Sequence, residues 1–172
     1  MSKIVRYSGS DRFNHWLVAL LFVLAAISGL AFFHPSLFFL SNVLGGGQLS
    51  RILHPFIGVA MFVLFVVLYF KFWHHNILHK NDRQWLKQIG DVIADREERL
   101  PEVGRYNGGQ KLLFWVMTIT MLLLVLSGMA FWRPYFASNF HIDTVRLAAV
   151  VHAGAAAVLI LGIIVQIGRA HV

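Results

Sequence analysis

The chain has 172 residues, 58 % hydrophobic, 14 % aromatic and 13 % charged, with no cysteine and a formal net charge of +7. Soluble domains carry about 25 % charged and roughly 45–50 % apolar residues, so this chain is neither a water-soluble globule nor disordered. Without thiols it cannot hold disulfides, cysteine-ligated zinc, an iron–sulfur cluster or a covalently attached c-type haem.

Asp, Glu, Lys and Arg are absent from 13–50, 52–70, 112–132 and 147–168. A membrane-crossing helix needs about 20 apolar residues, and in lipid every backbone polar group must be paired within the segment. These runs therefore predict an all-α fold, a four-helix transmembrane bundle with spans at about 13–33, 52–73, 112–132 and 147–168, forming one membrane domain over 1–172. The first span is too long for a cleaved signal peptide and no A-x-A-like site follows it. After it, Gly45-Gly46-Gly47 predicts a turn; no Lys-Ser/Thr follows to make it a phosphate loop. Between the second and third spans, Trp85, Leu86, Ile89, Val92 and Ile93 make 84–94 amphipathic, which predicts a short helix lying on the membrane surface. No internal repeat and no low-complexity tract is expected.

The positive charge is distributed for a membrane, with no nucleic acid as partner. Lys3, Arg6 and Arg12 precede the first span, and Lys80, Arg83, Lys87, Arg96, Arg99 and Arg105 lie between the second and third. The segment 34–50 has none, and 133–146 only Arg133 and Arg146 at its ends. The positive-inside rule puts both termini in the cytoplasm, with Trp16, Trp73 and Trp115 in the inner interfacial belt and Trp132 and Tyr135 in the outer one.

Of the nine histidines, His74, His75 and His79 sit at the inner end of the second span, where they complement a helix C-terminus and lipid headgroups. His34 and His141 fall in outer connections with no partner pattern. His15, His54 and His152 lie a few residues inside spans, where an ionisable side chain is costly and usually functional. His54 and His152 enter from the outer side at matching depth; His15 enters from the inner side. Neutral imidazoles bind haem iron, and two opposed ones make a centre suited to electron transfer, so His54 and His152 can flank one haem. A partner for His15 is expected fourteen residues after His152, four turns on and about 21 Å deeper on the same face. That position is Gln166. Gly58, Ala148, Ala149, Ala155, Ala156 and Gly29 would let a porphyrin approach the backbone, although small residues also serve ordinary helix contacts. A haem-free anchor or transporter, its histidines carrying protons or packing, is the alternative from another class.

The stretches Asp11-Arg12-Phe13-Asn14-His15-Trp16, Arg51-Ile52-Leu53-His54-Pro55-Phe56, His74-His75-Asn76, Gly104-Arg105-Tyr106-Asn107-Gly108-Gly109-Gln110-Lys111 and Phe131-Trp132-Arg133-Pro134-Tyr135-Phe136-Ala137 resemble the gamma subunit of respiratory formate dehydrogenase, a bacterial cytochrome b. The likeness runs from about residue 5 to 165. It implies a di-haem b subunit in the bacterial inner membrane, anchoring an iron–sulfur beta subunit and a molybdenum- or tungsten-containing alpha subunit on the outer face. Electrons would cross two haem b groups to a quinone near the cytoplasmic side. By the same likeness His54 and His152 hold the outer haem iron, His15 the inner one, and Asn107 and Gln110 stand at the quinone. A turn before the third span is the plainer reading of Asn107-Gly108. A di-haem anchor of a nickel–iron hydrogenase or thiosulfate reductase has the same architecture.

The family's fourth haem ligand falls at position 166, so Gln166 departs from the pattern. Written as codons, Gln166–Val172 can be CAG ATC GGA AGA GCA CAC GTC, which a common short-read sequencing adapter placed after a single C also encodes. The expectation is that Gln166–Val172 is adapter read-through, that the natural chain is longer, and that its codon 166 begins with the C of a histidine codon.

Overall fold

A computed structural model describes residues 7–90 and 105–169. Its long helices are α1 (Gly9–Phe33), α2 (Gly47–Phe72), α4 (Gly108–Phe131) and α5 (Ile142–Arg169), with a short α3 (Lys80–Lys87) between α2 and α4. All four long helices are long and apolar enough to cross a membrane, with mean hydropathy of 2.3 or more over their best windows. α2, α4 and α5 begin four or five residues before the predicted spans, as does α1. The charge-free criterion finds the hydrocarbon slab, whereas the helices continue to caps at the headgroup level. Ser8 caps α1 by accepting from Asp11 N (3.2 Å), while Asp11 accepts from Ser8 N (3.0 Å). Asn107 and Gln110 cap α4 in the same reciprocal way, at 2.9 and 3.1 Å. Each such cap contributes about 1 kcal/mol.

The turn at Gly45-Gly46 is present, with φ of 86° and 101°, a left-handed region that favours glycine. Ahead of it, Pro35–Leu44 forms a 3-10 segment started by the His34 ring, whose Nδ1 accepts from Ser36 N (3.2 Å). His141 likewise accepts from Asp143 N at the start of α5 (3.5 Å). These two histidines do have partners, and the partners are helix starts.

α1 packs along α2 and α4 along α5; the two hairpins meet more lightly, α2 against α4 and α1 against α5. Met61, Met121 and Leu159 fill the centre, with Phe22, Phe65 and Leu124 against them. Hydroxyls inside the slab return their protons to their own helix: Thr118 to the Phe114 carbonyl and Thr120 to that of Val116, both 2.8 Å. That satisfies them without water.

The first helices of the two hairpins share a sequence pattern, which corrects the expectation of no internal repeat. With an offset of 99 residues, Tyr7, Gly9, Trp16, Leu24, Ser28, Gly29, Ala31, Phe32 and Pro35 recur as Tyr106, Gly108, Trp115, Leu123, Ser127, Gly128, Ala130, Phe131 and Pro134. Both copies open on a capping box. The equivalent tyrosines meet hydroxyl to hydroxyl at 3.3 Å, and His54 and His152 meet at the opposite end. The two hairpins are thus joined at both ends of the bundle, by tyrosines at one and by histidines at the other. The repeat escapes a reading by composition because lipid-facing positions accept any apolar residue. The cap residues change, Ser8 and Asp11 to Asn107 and Gln110, while the capping pattern stays.

The amphipathic stretch also differs from expectation. The helix spans Lys80–Lys87, with a further turn to Gly90, and 91–94 lie outside the described residues. Trp85 is buried, 3 % exposed. Instead of lying on lipid it covers the first turn of α4, where a Cβ on Gly109 would come within 3.0 Å of its ring.

Candidate functional site

The described residues bring together two histidines from diagonally opposed helices. His54 on α2 and His152 on α5 face each other across the seam between hairpins, ring centroids 6.2 Å apart and planes at 67°. Both are half-buried. Each ring rests on a Ser-Gly pair of the neighbouring helix. Ser28 Oγ lies 2.8 Å from His54 Nδ1, and Ser127 Oγ 3.1 Å from His152 Nδ1. A Cβ on Gly29 would stand 3.4 Å from His54 Cε1, and one on Gly128 3.3 Å from His152 Cε1. Glycine is thus what lets each ring lie against its neighbouring helix. Pro55, directly after His54, removes one backbone donor from α2. Phe131 packs edge-on against His152 (5.2 Å), and Phe56, Trp132 and Tyr135 form an aromatic group toward that end of the bundle.

Sequence reasoning anticipated the two histidines and Gly29 but missed Ser28, Ser127 and Gly128. The available signal was the Ser-Gly pair repeated ahead of Phe32 and Phe131.

The other sequence-derived site residues lie at the end where α1 begins. His15 is exposed on α1, in edge contact with Trp16 (6.1 Å). Gln166 is exposed on α5, and no hydrogen bond joins it to His15 among the described residues. Asn107 and Gln110 use their side-chain oxygens in the α4 cap, which leaves both carboxamide NH2 groups as donors. Next to them Lys111 Nζ donates to Asp82 Oδ2 at 2.7 Å, the two side chains 7 % and 3 % exposed. Burial pushes the Asp82 carboxyl up, but the Lys111 ammonium and the His79 N–H (2.7 Å) outweigh it and hold Asp82 below the ordinary carboxylate range. At the same end, burial and the Tyr7 hydrogen bond push Tyr106 up to about 12, and the Arg105 guanidinium lies over the Tyr7, Phe72 and Tyr106 rings. The His74 and His75 rings lie 4.0 Å apart, tilted at 47°. No group of three or more metal-ligating side chains occurs among the described residues.

Residues 6–170 match the pattern of the prokaryotic cytochrome b561 family. Similar chains include the cytochrome b556(fdo) subunit of formate dehydrogenase from Escherichia coli K12, 46 % identical over 164 residues, covering 95 % of this chain and 77 % of the relative. The cytochrome b556(Fdn) subunit of the nitrate-inducible formate dehydrogenase of the same strain is 42 % identical over 163 residues, covering 95 % and 75 %. The formate dehydrogenase cytochrome b556 subunit of Haemophilus influenzae is 37 % identical over 166 residues, covering 96 % and 70 %.

Proposed function

The chain belongs to the prokaryotic cytochrome b561 family, and from that premise we propose how its residues serve electron transfer. It is a membrane cytochrome b electron-transfer subunit of formate dehydrogenase, the role its relatives' names carry. The family implies haem b. Metal–nitrogen bonds of about 2 Å, plus about 1 Å from each nitrogen to its ring centre, separate two opposed imidazole ligands by about 6 Å. The rings of His54 and His152 lie 6.2 Å apart. Their Nδ1 atoms are engaged on the flanking helices, which leaves both Nε2 atoms for iron. This fit carries the reading. Haem bound there supplies a one-electron carrier; the chain supplies the ligands, the close backbone at Gly29 and Gly128, and an apolar surround.

In the fuller reading the end carrying His54 and His152 is the outer one, both termini are cytoplasmic, and the membrane is the bacterial inner membrane. An iron–sulfur beta subunit with its molybdenum- or tungsten-containing alpha subunit delivers electrons at the outer end. A second haem b is held by His15, with Gln166 standing where its partner is expected. Electrons leave to a quinone at Asn107 and Gln110, whose free NH2 groups suit a carbonyl acceptor. Moving an electron inward against a membrane negative inside costs about 2.3 kcal/mol per 100 mV, which a strongly reducing donor supplies.

The test is a reduced-minus-oxidised spectrum of the detergent-extracted protein, with haem extracted by acid acetone. A b-type band is expected, since no Cys-x-x-Cys-His exists for covalent attachment. His54→Ala and His152→Ala should each abolish the same haem signal. Full haem content in both variants would overturn the ligand assignment.

A further inference from the structure

The Ser-Gly pairs under the two histidines do more than make room. We propose that Ser28 and Ser127 are matched positioning residues that fix the tautomer of His54 and His152, so that each Nε2 faces the shared site as a lone pair and each Nδ1 carries the proton. This rests on the haem reading above and extends it to two residues outside the ligand set.

The proton positions follow from the partners. Ser28 Oγ lies 2.8 Å from the Leu24 carbonyl and 3.1 Å from that of Ala25. Its hydroxyl proton is used on its own helix, so toward His54 the oxygen accepts. Ser127 does the same with the Leu123 and Leu124 carbonyls. The Leu124 carbonyl also lies 3.0 Å from His152 Nδ1, and a carbonyl can only accept, so that nitrogen holds the hydrogen. For His54 the acceptor is the Ser28 oxygen, 2.8 Å from Nδ1. Ser28 is fully buried and Ser127 is 7 % exposed, so neither bond competes with water. In low dielectric such a bond is stronger than at a surface.

An Nδ1–H bonded to an oxygen acceptor makes the imidazole a stronger electron donor through Nε2 and orients the ring. That favours ferric over ferrous iron and lowers the midpoint potential. Removing the serine takes from His54 Nδ1 its acceptor and leaves His152 Nδ1 the Leu124 carbonyl, and the potential should rise.

The experiment is redox potentiometry on the full chain, expressed with its partner subunits, for Ser28→Ala, Ser127→Ala, Ser28→Cys and Ser127→Cys. Haem content is measured alongside, and the signal is assigned by its loss in His54→Ala. Cysteine matches serine in size but is a weak acceptor. Both replacements at each site should keep the haem and shift the ferric-over-ferrous preference at least threefold, about 28 mV at 59 mV per tenfold for one electron. An alanine variant that loses the haem while its cysteine counterpart keeps it with the shifted potential supports the same assignment. Potentials within threefold of the unaltered protein, or a cysteine variant indistinguishable from serine where alanine shifts, would make the serines packing residues and overturn the proposal. A wild-type protein without haem would instead refute the reading beneath it. The two failures are therefore distinguishable.

Discussion

Lys111→Met tests how α3 is held against the bundle. The Lys111–Asp82 pair is 2.7 Å long with both side chains almost fully covered. Deleting one member of a buried pair costs about 3–5 kcal/mol, because the remaining charge keeps its desolvation cost without its counterion. The low end applies here, about 3 kcal/mol, since the His79 N–H still reaches Asp82. At about 1.4 kcal/mol per tenfold, local opening of α3 should become roughly 100-fold more frequent. Amide hydrogen exchange over Lys80–Lys87, in detergent at neutral pH, reads that directly. Helices α1, α2 and α5 should keep their protection, because the pair joins α3 to α4. The double variant Asp82→Asn, Lys111→Met should recover most of the protection, since neutralising both partners leaves no orphan charge. Wild-type exchange in Lys111→Met, or a double variant worse than the two single changes combined, would refute the reasoning.

Asn107→Asp keeps the oxygen that caps α4 but removes the NH2 donor, so quinone reduction should fall while haem stays reducible by the donor; unimpaired quinone turnover would leave Asn107 with a capping role only. Gly128→Ala sets a methyl 3.3 Å from His152 Cε1, and the displaced ring should lower haem content severalfold, measured as the pyridine haemochrome. Because the folded protein depresses the Asp82 carboxyl, its contribution is complete above the unfolded value and fades as pH drops through the folded one. Exchange in α3 should therefore accelerate only below the ordinary carboxylate range, and Asp82→Asn should remove that acid dependence.

Much of this architecture was legible in the sequence because the membrane imposes one rule on every position of a span. Charge-free runs of sufficient length gave four helices with only their starts displaced. His54 and His152 stood out for the same reason, since an ionisable group inside such a run needs an explanation. The placement of Trp85 was not legible. Periodicity identifies an apolar face but not what covers it, and α4 offered Gly108 and Gly109 as a surface flat enough for an indole. Asn107 and Gln110 carry both a cap and a proposed ligand contact, and sequence alone cannot divide a carboxamide's oxygen from its nitrogen. The structure divides them, with the oxygens spent on the helix start.

The repeat adds a reason for the site's position. A hairpin such as α1–α2 satisfies its own backbone and buries one seam, but its serine-supported histidine looks outward with one nitrogen unused. The matching imidazole comes from the second hairpin. The site is thus a property of the seam, where the two hairpins touch lightly. The copies differ at the other end. His15 corresponds to Phe114, and Ser8 with Asp11 to Asn107 with Gln110. The two hairpins supply one imidazole each at one end, and at the other His15 on α1 has no counterpart on α4, whose start carries the two carboxamides. A paired-imidazole electron carrier needs the first arrangement. The second suits the exchange with a diffusible carbonyl acceptor proposed above.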